Sequence, residues 1–168
     1  MEKTALRIAF TGPESSGKTT LAAWLSSFLE LPFIEEYART FLADQIDYKP
    51  EDLDFMAKKQ VELWPKGGLI ADTEMHVFQI WSSVKYAQVS PSITLLLKAQ
   101  QFDHYFLCAP DIPWEADPLR ENPLNRDMLF GLYREQLEKY GRNMTILTGN
   151  LENRQELIKV SISQLWNP

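Results

Sequence analysis

The residues best equipped for chemistry stand in the stretch Gly12-Pro13-Glu14-Ser15-Ser16-Gly17-Lys18-Thr19-Thr20. Gly12, Gly17, Lys18 and Thr19 fill the defining places of the pattern GxxxxGK[ST]. Each residue type has a task at that spacing. Glycines let the backbone turn tightly, so that successive N–H groups converge on one anion. The lysine reaches β- and γ-phosphates, and the hydroxyl after it can ligate Mg²⁺. A helix starting at Gly17 adds the positive end of its dipole to the same place. Gly12, Glu14, Ser15, Ser16, Gly17, Lys18, Thr19 and Thr20 are therefore read as the holders of a nucleotide, expected to be ATP with Mg²⁺. A match to this pattern arises by chance in roughly one chain of this length in a few hundred.

Several charged residues stand where they could complete such a site. Asp72 closes the apolar run Leu69-Ile70-Ala71. Enzymes with this glycine loop keep an acid for Mg²⁺ there, which pairs Asp72 with Thr19 as metal residues. The alternative is a helix N-cap, a place that aspartate favours. Glu36 follows Phe33-Ile34 and is read as a general base beside an acceptor hydroxyl. The other reading makes Glu35 and Glu36 a solvated surface pair. Arg39, one helical turn on, meets either a phosphate or those acids. Arg120 and Arg126 lie in the proline-punctuated stretch from Pro110 to Arg126. Planar guanidinium groups suit the charge that spreads over a transferring phosphoryl group, which reads this stretch as a lid over ATP. A plain solvated loop is the competitor. Trp114, in the same stretch, either stacks on a substrate ring or packs under the lid. Asn150 and Arg154 follow the last apolar run, where a nucleotide base is expected, although Gly149-Asn150 is also an ordinary turn. His76 and His104 show no ligand spacing.

The elements that must position these residues follow from periodicity. Ala5 to Phe10 precedes the glycine loop as a mostly apolar strand. Leu21, Trp24, Leu25, Phe28 and Leu29 after it mark one helix face. Leu31–Ile34, Leu69–Asp72, His104–Cys108 and Met144–Leu147 read as four more strands. Helical segments come between them, from Tyr37 to Ala43, from Pro50 with Leu53, Met56, Ala57, Val61 and Trp64 inward, and along Val77, Ile80, Trp81 and Val84. Further helices start at Pro91, run along Phe130, Tyr133, Leu137 and Tyr140, and close the chain along Ile158, Ile162, Leu165 and Trp166. Alternation of strands and helices implies an α/β fold with a five-stranded parallel sheet covered on both faces. Ligands of such sheets bind beyond the carboxyl ends of the strands, the rim that carries the glycine loop, Glu36 and Asp72.

A chain of 168 residues is long enough to bury a full core and is read as one domain, 1–168. The hydrophobic fraction of 45% is that of ordinary globular proteins. A net charge of −6 disfavours a nucleic-acid partner. One cysteine, Cys108, leaves no internal disulfide, and its apolar strand suggests a buried thiol. No run approaches the ~20 apolar residues of a membrane span, so a cytoplasmic protein without a membrane partner is expected.

Taken together, GPESSGKTT, EYAR from Glu36, IADTEMHVFQIW around Asp72, PWEADPLR from Pro113 followed by Arg126, and GNLENR from Gly149 resemble the ribosylnicotinamide kinase domain of NadR-type proteins. PWEADPLR carries most of that resemblance, which extends over nearly the whole chain. The resemblance implies a P-loop, nucleoside-kinase-like three-layer fold and transfer of the ATP γ-phosphoryl group to the 5′-hydroxyl of nicotinamide riboside. It gives Lys18, Thr19, Asp72, Arg120 and Arg126 phosphate and metal roles. Glu36, Tyr37, Trp114 and Asp117 become candidates for the riboside pocket, joined by Arg39 and Asp72 at its edge. The chain has no room for the adenylyltransferase domain of the family's larger members, and another nucleoside-like alcohol stays open as acceptor. A nucleotide-dependent switch is the rival class; no NKxD-type guanine-reading motif is present.

Overall fold

The apolar runs become parallel strands: β1 (Arg7–Thr11), β2 (Phe33–Ile34), β3 (Leu69–Ala71), β4 (His104–Cys108) and β5 (Met144–Leu147). The structure, a computed structural model, describes residues 6–45, 47–117 and 120–166. Among these, the strands form one sheet in the order β2-β3-β1-β4-β5. Ala9 sits at its centre, paired with Ala71 on one side and Tyr105 on the other. Seven helices complete the described chain: α1 (Lys18–Leu29), α2 (Tyr37–Leu42), α3 (Pro50–Glu62), α4 (Met75–Tyr86), α5 (Pro91–Ala99), α6 (Arg126–Lys139) and α7 (Leu151–Trp166).

Strand alternation sorts the core into layers. Ile8, Phe10, Phe106 and Cys108 point to one face, where Leu21 and Leu25 of α1 and Ile158 and Ile162 of α7 cover them. Ala9, Tyr105 and Leu107 point to the other, against Val77 and Ile80 of α4 and Leu129, Tyr133 and Leu137 of α6. Both faces are thus buried, the condition under which parallel strands read as continuous apolar runs. Each fully buried leucine on these faces contributes about 1.5–3 kcal/mol. A third cluster joins α2, α3, α4 and α5 through Ala38, Leu53, Met56, Phe78, Ile93 and Leu97. Cys108 is buried as expected, and burial pushes its thiol pKa up to about 12.

Some boundaries and faces differ from the sequence reading. β1 runs from Arg7 to Thr11, and Ala5 lies outside the described residues. α1 begins at Lys18, because Gly17 adopts a left-handed conformation that ends the loop. Phe28, assigned to the inner face of α1, is 51% exposed and stacks on the half-buried Trp24. Ala22 takes the inner place instead. Val84 is likewise exposed. No described residue between Ala109 and Asn125 is in a helix or strand, as expected of the Pro110–Arg126 segment; residues 118 and 119 of PWEADPLR lie outside the described residues. Among the described residues no helix is long and apolar enough to cross a membrane.

Candidate active site

β1 delivers the chain into the glycine loop at the centre of the sheet. Gly12 has φ 129° and lies against β4; a Cβ there would stand 2.7 Å from the Cys108 carbonyl oxygen. Only glycine permits that approach and that backbone conformation. Lys18 Nζ donates to the carbonyls of Gly12 (2.9 Å) and Pro13 (2.7 Å), which holds the ammonium inside the loop. The Ser16 hydroxyl closes the turn onto the Pro13 carbonyl at 2.7 Å.

Asp72, directly after β3, meets this loop. The Thr19 hydroxyl donates to Asp72 Oδ2 at 2.7 Å. Asp72 is 3% exposed, and its Oδ1 is buried with no hydrogen-bond partner among the described residues. Its helix-capping alternative is excluded by the neighbour. Glu74 is the N-cap of α4 and accepts from the His76 N–H at 2.8 Å. Glu74 also accepts from the Thr11 hydroxyl (2.8 Å) and Gln100 Nε2 (2.7 Å), which ties the ends of β1 and β3 together. One hydroxyl beside one buried carboxylate with an unused oxygen fits Mg²⁺, which keeps several waters and takes substrate phosphates as ligands. Burial holds the Asp72 carboxyl pKa above its ordinary value, against the pull of the Thr19 hydrogen bond and Lys18.

Glu36 enters from the end of β2. It is the N-cap residue of α2, yet its side chain makes no capping bond. Its carboxylate lies 3.5 Å from Arg39 Nε and keeps 22% side-chain exposure. Arg39 in turn pairs with Asp117 at 3.0 Å. Burial, then the proximity of Asp72, raises the Glu36 pKa. Glu36 and Arg39 line the same cavity of about 370 Å³ as the whole Gly12–Thr20 loop and Arg120. Its far wall is apolar, formed by Ala38 and Leu42 of α2, Val77, Ile80, Trp81 and Val84 of α4, and Leu129 and Tyr133 of α6.

The 110–126 segment folds over the loop with Ser15 as its anchor. The Glu115 N–H (2.9 Å) and Arg120 Nη1 (3.4 Å) donate to Ser15 Oγ. Arg126 Nη1 donates to the Ser15 carbonyl and to the Ile112 carbonyl, both at 3.0 Å. Glu14 accepts from the amides of Glu121 and Asn122, the latter at 2.9 Å. The Trp114 ring centroid lies 6.0 Å from Arg120 Cζ and 5.6 Å from Arg126 Cζ.

Not every candidate reaches the cavity. Tyr37, Trp114, Asp117, Arg126, Asn150 and Arg154 are absent from its lining, and Asp72 stands behind it, reached through Thr19. The Tyr37 ring turns toward Phe41 and Phe55, because its place at the start of α2 faces the α3 side. Arg154 is 2% exposed, and its donors go to the protein: the carbonyls of Gly149 (2.9 Å), Ser16 (2.6 Å) and Ala109 (2.9 Å), and the Asp111 carboxylate. It braces the glycine loop from beneath. Asn150 is exposed and caps α7 by accepting from the Asn153 N–H at 2.9 Å.

A family model described as AAA domain matches residues 7–154. The chain belongs to the AAA domain family. Its fold is similar to that of P-loop kinases of known structure. A NadR structure in complex with NR matches with TM-score 0.78 and 22% identity over 93% of this chain and 50% of the other. A second NadR structure, with NAD and AMP-PNP, matches with TM-score 0.73 and 22% identity over 93% and 48%. Deoxyadenosine kinase from M. mycoides matches with TM-score 0.66 and 15% identity over 95% and 100%. This AAA domain chain thus spans about half the length of the NadR chains it matches, and the resemblance read from its motifs extends to the fold. No curated protein matches the sequence.

Sequence reasoning missed much of the cavity wall. The stripe Val77, Ile80, Trp81 and Val84 reads as a core face, but these side chains border the cavity. A lined cavity and a core share the same periodicity, so nothing in the spacing separates them. Tyr48 accepts from Trp81 Nε1 and is covered by Lys85 Nζ at 3.6 Å from its ring centroid.

Proposed function

We propose that this protein is a small-molecule kinase that transfers the γ-phosphoryl group of ATP to the 5′-hydroxyl of nicotinamide riboside, giving nicotinamide mononucleotide. One observation carries the reading: a single cavity is lined by the phosphate-binding loop, by Glu36 and by apolar side chains of α2, α4 and α6. That is what a phosphoryl donor and a nucleoside-like acceptor require of one site.

In this reading the amides of the loop hold the β- and γ-phosphates, and Lys18 leaves its carbonyl partners to reach them. Thr19 and Asp72 would hold Mg²⁺, which would neutralise charge on the phosphate oxygens. Arg120 and Arg126 leave the Ser15 anchor and turn toward the charge that develops in transfer. Glu36 takes the proton of the acceptor hydroxyl as its oxygen bonds to the γ-phosphorus and the bond to the bridging oxygen of ADP breaks. A pKa held above the ordinary carboxyl value brings this base nearer the working pH. The apolar wall receives the planar base of the acceptor.

Incubation with ATP, Mg²⁺ and a panel of nucleosides, read by mass spectrometry, tests the proposal. A mass increment of one phosphate on nicotinamide riboside supports it; ATP hydrolysis at a rate indifferent to the panel points to a nucleotide switch. A second reading, transfer to a different nucleoside-like alcohol, draws on one observation. Of the four residues that the resemblance gives to the riboside pocket, Glu36 lines the cavity, whereas Tyr37, Trp114 and Asp117 are absent from its lining.

A further inference from the structure

The Glu36 carboxylate lines the cavity, and the backbone on both sides of it is held from another helix. An N-cap side chain ordinarily bonds back to the amides of its own first turn. Glu36 does not; the Arg39 N–H donates to its backbone carbonyl at 3.2 Å instead. The amide of Tyr37, the first helical residue, is taken by Gln60 Oε1 at 2.8 Å. The other end of the same side chain, Gln60 Nε2, donates to the Glu35 carbonyl at 3.0 Å. The two bonds grip the chain immediately before and after Glu36.

Gln60 is conspicuous by its position. Leu53, Met56, Ala57 and Gln60 share the buried face of α3 at spacings of three, four and seven residues, and Gln60 is 0% exposed. The first three pack in the apolar core, the fourth is polar. A buried primary amide is costly unless its groups are bonded. An apolar residue would serve the core alone, so the amide answers to its two partners. Gln60 itself is absent from the cavity lining.

We infer that Gln60 is a positioning residue for phosphoryl transfer: it clamps the backbone on both sides of Glu36 and so keeps that carboxylate aimed into the cavity. The inference rests on the reading of Glu36 as the base. Lys18, Asp72 and Glu14 face Glu36 from other parts of the site, Arg39 faces it from its own helix, and Tyr133 from α6. Without the clamp, the Tyr37 amide and the Glu35 carbonyl lose their partner, and the backbone that carries Glu36 is no longer fixed on either side.

The test is a double-mutant cycle on the full chain with the acceptor it phosphorylates, using Gln60→Met and Glu36→Gln. Gln60→Met is expected to lower kcat about tenfold or more, as small misplacements of a catalytic group do, with KM for ATP within about twofold of wild type. Placed on Glu36→Gln, it is expected to cost nothing further, because the two residues act as one unit. Should Gln60→Met fail to fold, Gln60→Asn takes its place in the cycle; its amide is one methylene short of both partners. If Glu36→Gln is impaired while the residue-60 variant turns over like wild type, or if the two losses multiply, the positioning role is overturned. If Glu36→Gln itself turns over like wild type, the reading of Glu36 as base fails first, and the inference goes with it.

Discussion

Thr19 and Asp72 meet at 2.7 Å across fifty-three residues of sequence, and the Thr19 hydroxyl is the donor. The contact joins the end of β3 to the start of α1, so the two residues that suit Mg²⁺ are already side by side. Asp72→Ala and Lys18→Ala should each cut phosphoryl transfer by at least about 10²–10³-fold, the usual loss when one charge-stabilising group is removed. Neither residue belongs to an apolar core cluster, so both variants should keep the wild-type circular dichroism spectrum. Steady-state kinetics on those folded variants checks this.

Glu36→Gln should behave in a way unusual for a core catalytic change: less active, more stable. The raised pKa means that the folded chain keeps this proton to higher pH than the unfolded chain. Between the ordinary carboxyl value of about 4.3 and the raised one, the folded state binds more protons, so stability falls as pH rises through that window. The neutral isostere removes that loss. Its Tm should exceed wild type at neutral pH, and the gap should close as the buffer is taken down to about pH 4. Turnover should drop by about 10²-fold or more, as for loss of a general base.

Arg154→Met should be a folding defect before it is a catalytic one. Its removal strips donors from the carbonyls of Ser16, Ala109 and Gly149 and leaves Asp111 without its guanidinium partner. Loss of a buried, multiply bonded cation of this kind costs about 3 kcal/mol, or a Tm lower by roughly 6–12 °C for a chain of this size. Because Ser16 belongs to the glycine loop, ATP affinity should weaken too. Thermal unfolding with and without an ATP analogue separates the two effects.

Gly12→Ala should fail for a steric reason. The added methyl would stand 2.7 Å from the Cys108 carbonyl at a φ of 129°. Strain and clash together amount to about 3 kcal/mol or more, which a chemical denaturation midpoint would report. An unchanged midpoint would contradict the close packing of the loop on β4.

These residues also show what was legible beforehand. The strands were readable because parallel strands buried on both faces become apolar runs, and the loop because its glycines are dictated by geometry, as Gly12 illustrates. Asp72 could be placed on the rim but not assigned, since an aspartate after a strand suits a cap equally well; in the structure Glu74, not Asp72, caps α4. Arg154 looked like a ligand for a nucleotide because an arginine after a strand has the same signature whether it binds phosphate or carbonyl oxygens. The wall along α4 was hidden for a similar reason: Trp81 and Val84 repeat at helical spacing like core residues, and only tertiary packing reveals that they face a cavity. Gln60 carried a signal, a polar residue on an apolar stripe, whose partners lie more than twenty residues away.

The most direct measurement follows the phosphoryl group itself. ATP labelled with ¹⁸O in the γ-phosphoryl oxygens is incubated with Mg²⁺, nicotinamide riboside and the protein, and the products are weighed. The cavity that joins the loop to Glu36 predicts labelled nicotinamide mononucleotide, formed by wild type and suppressed in Lys18→Ala and Glu36→Gln. Label recovered only in inorganic phosphate, for this acceptor and for every other nucleoside tried, would contradict phosphoryl transfer as the work of this site.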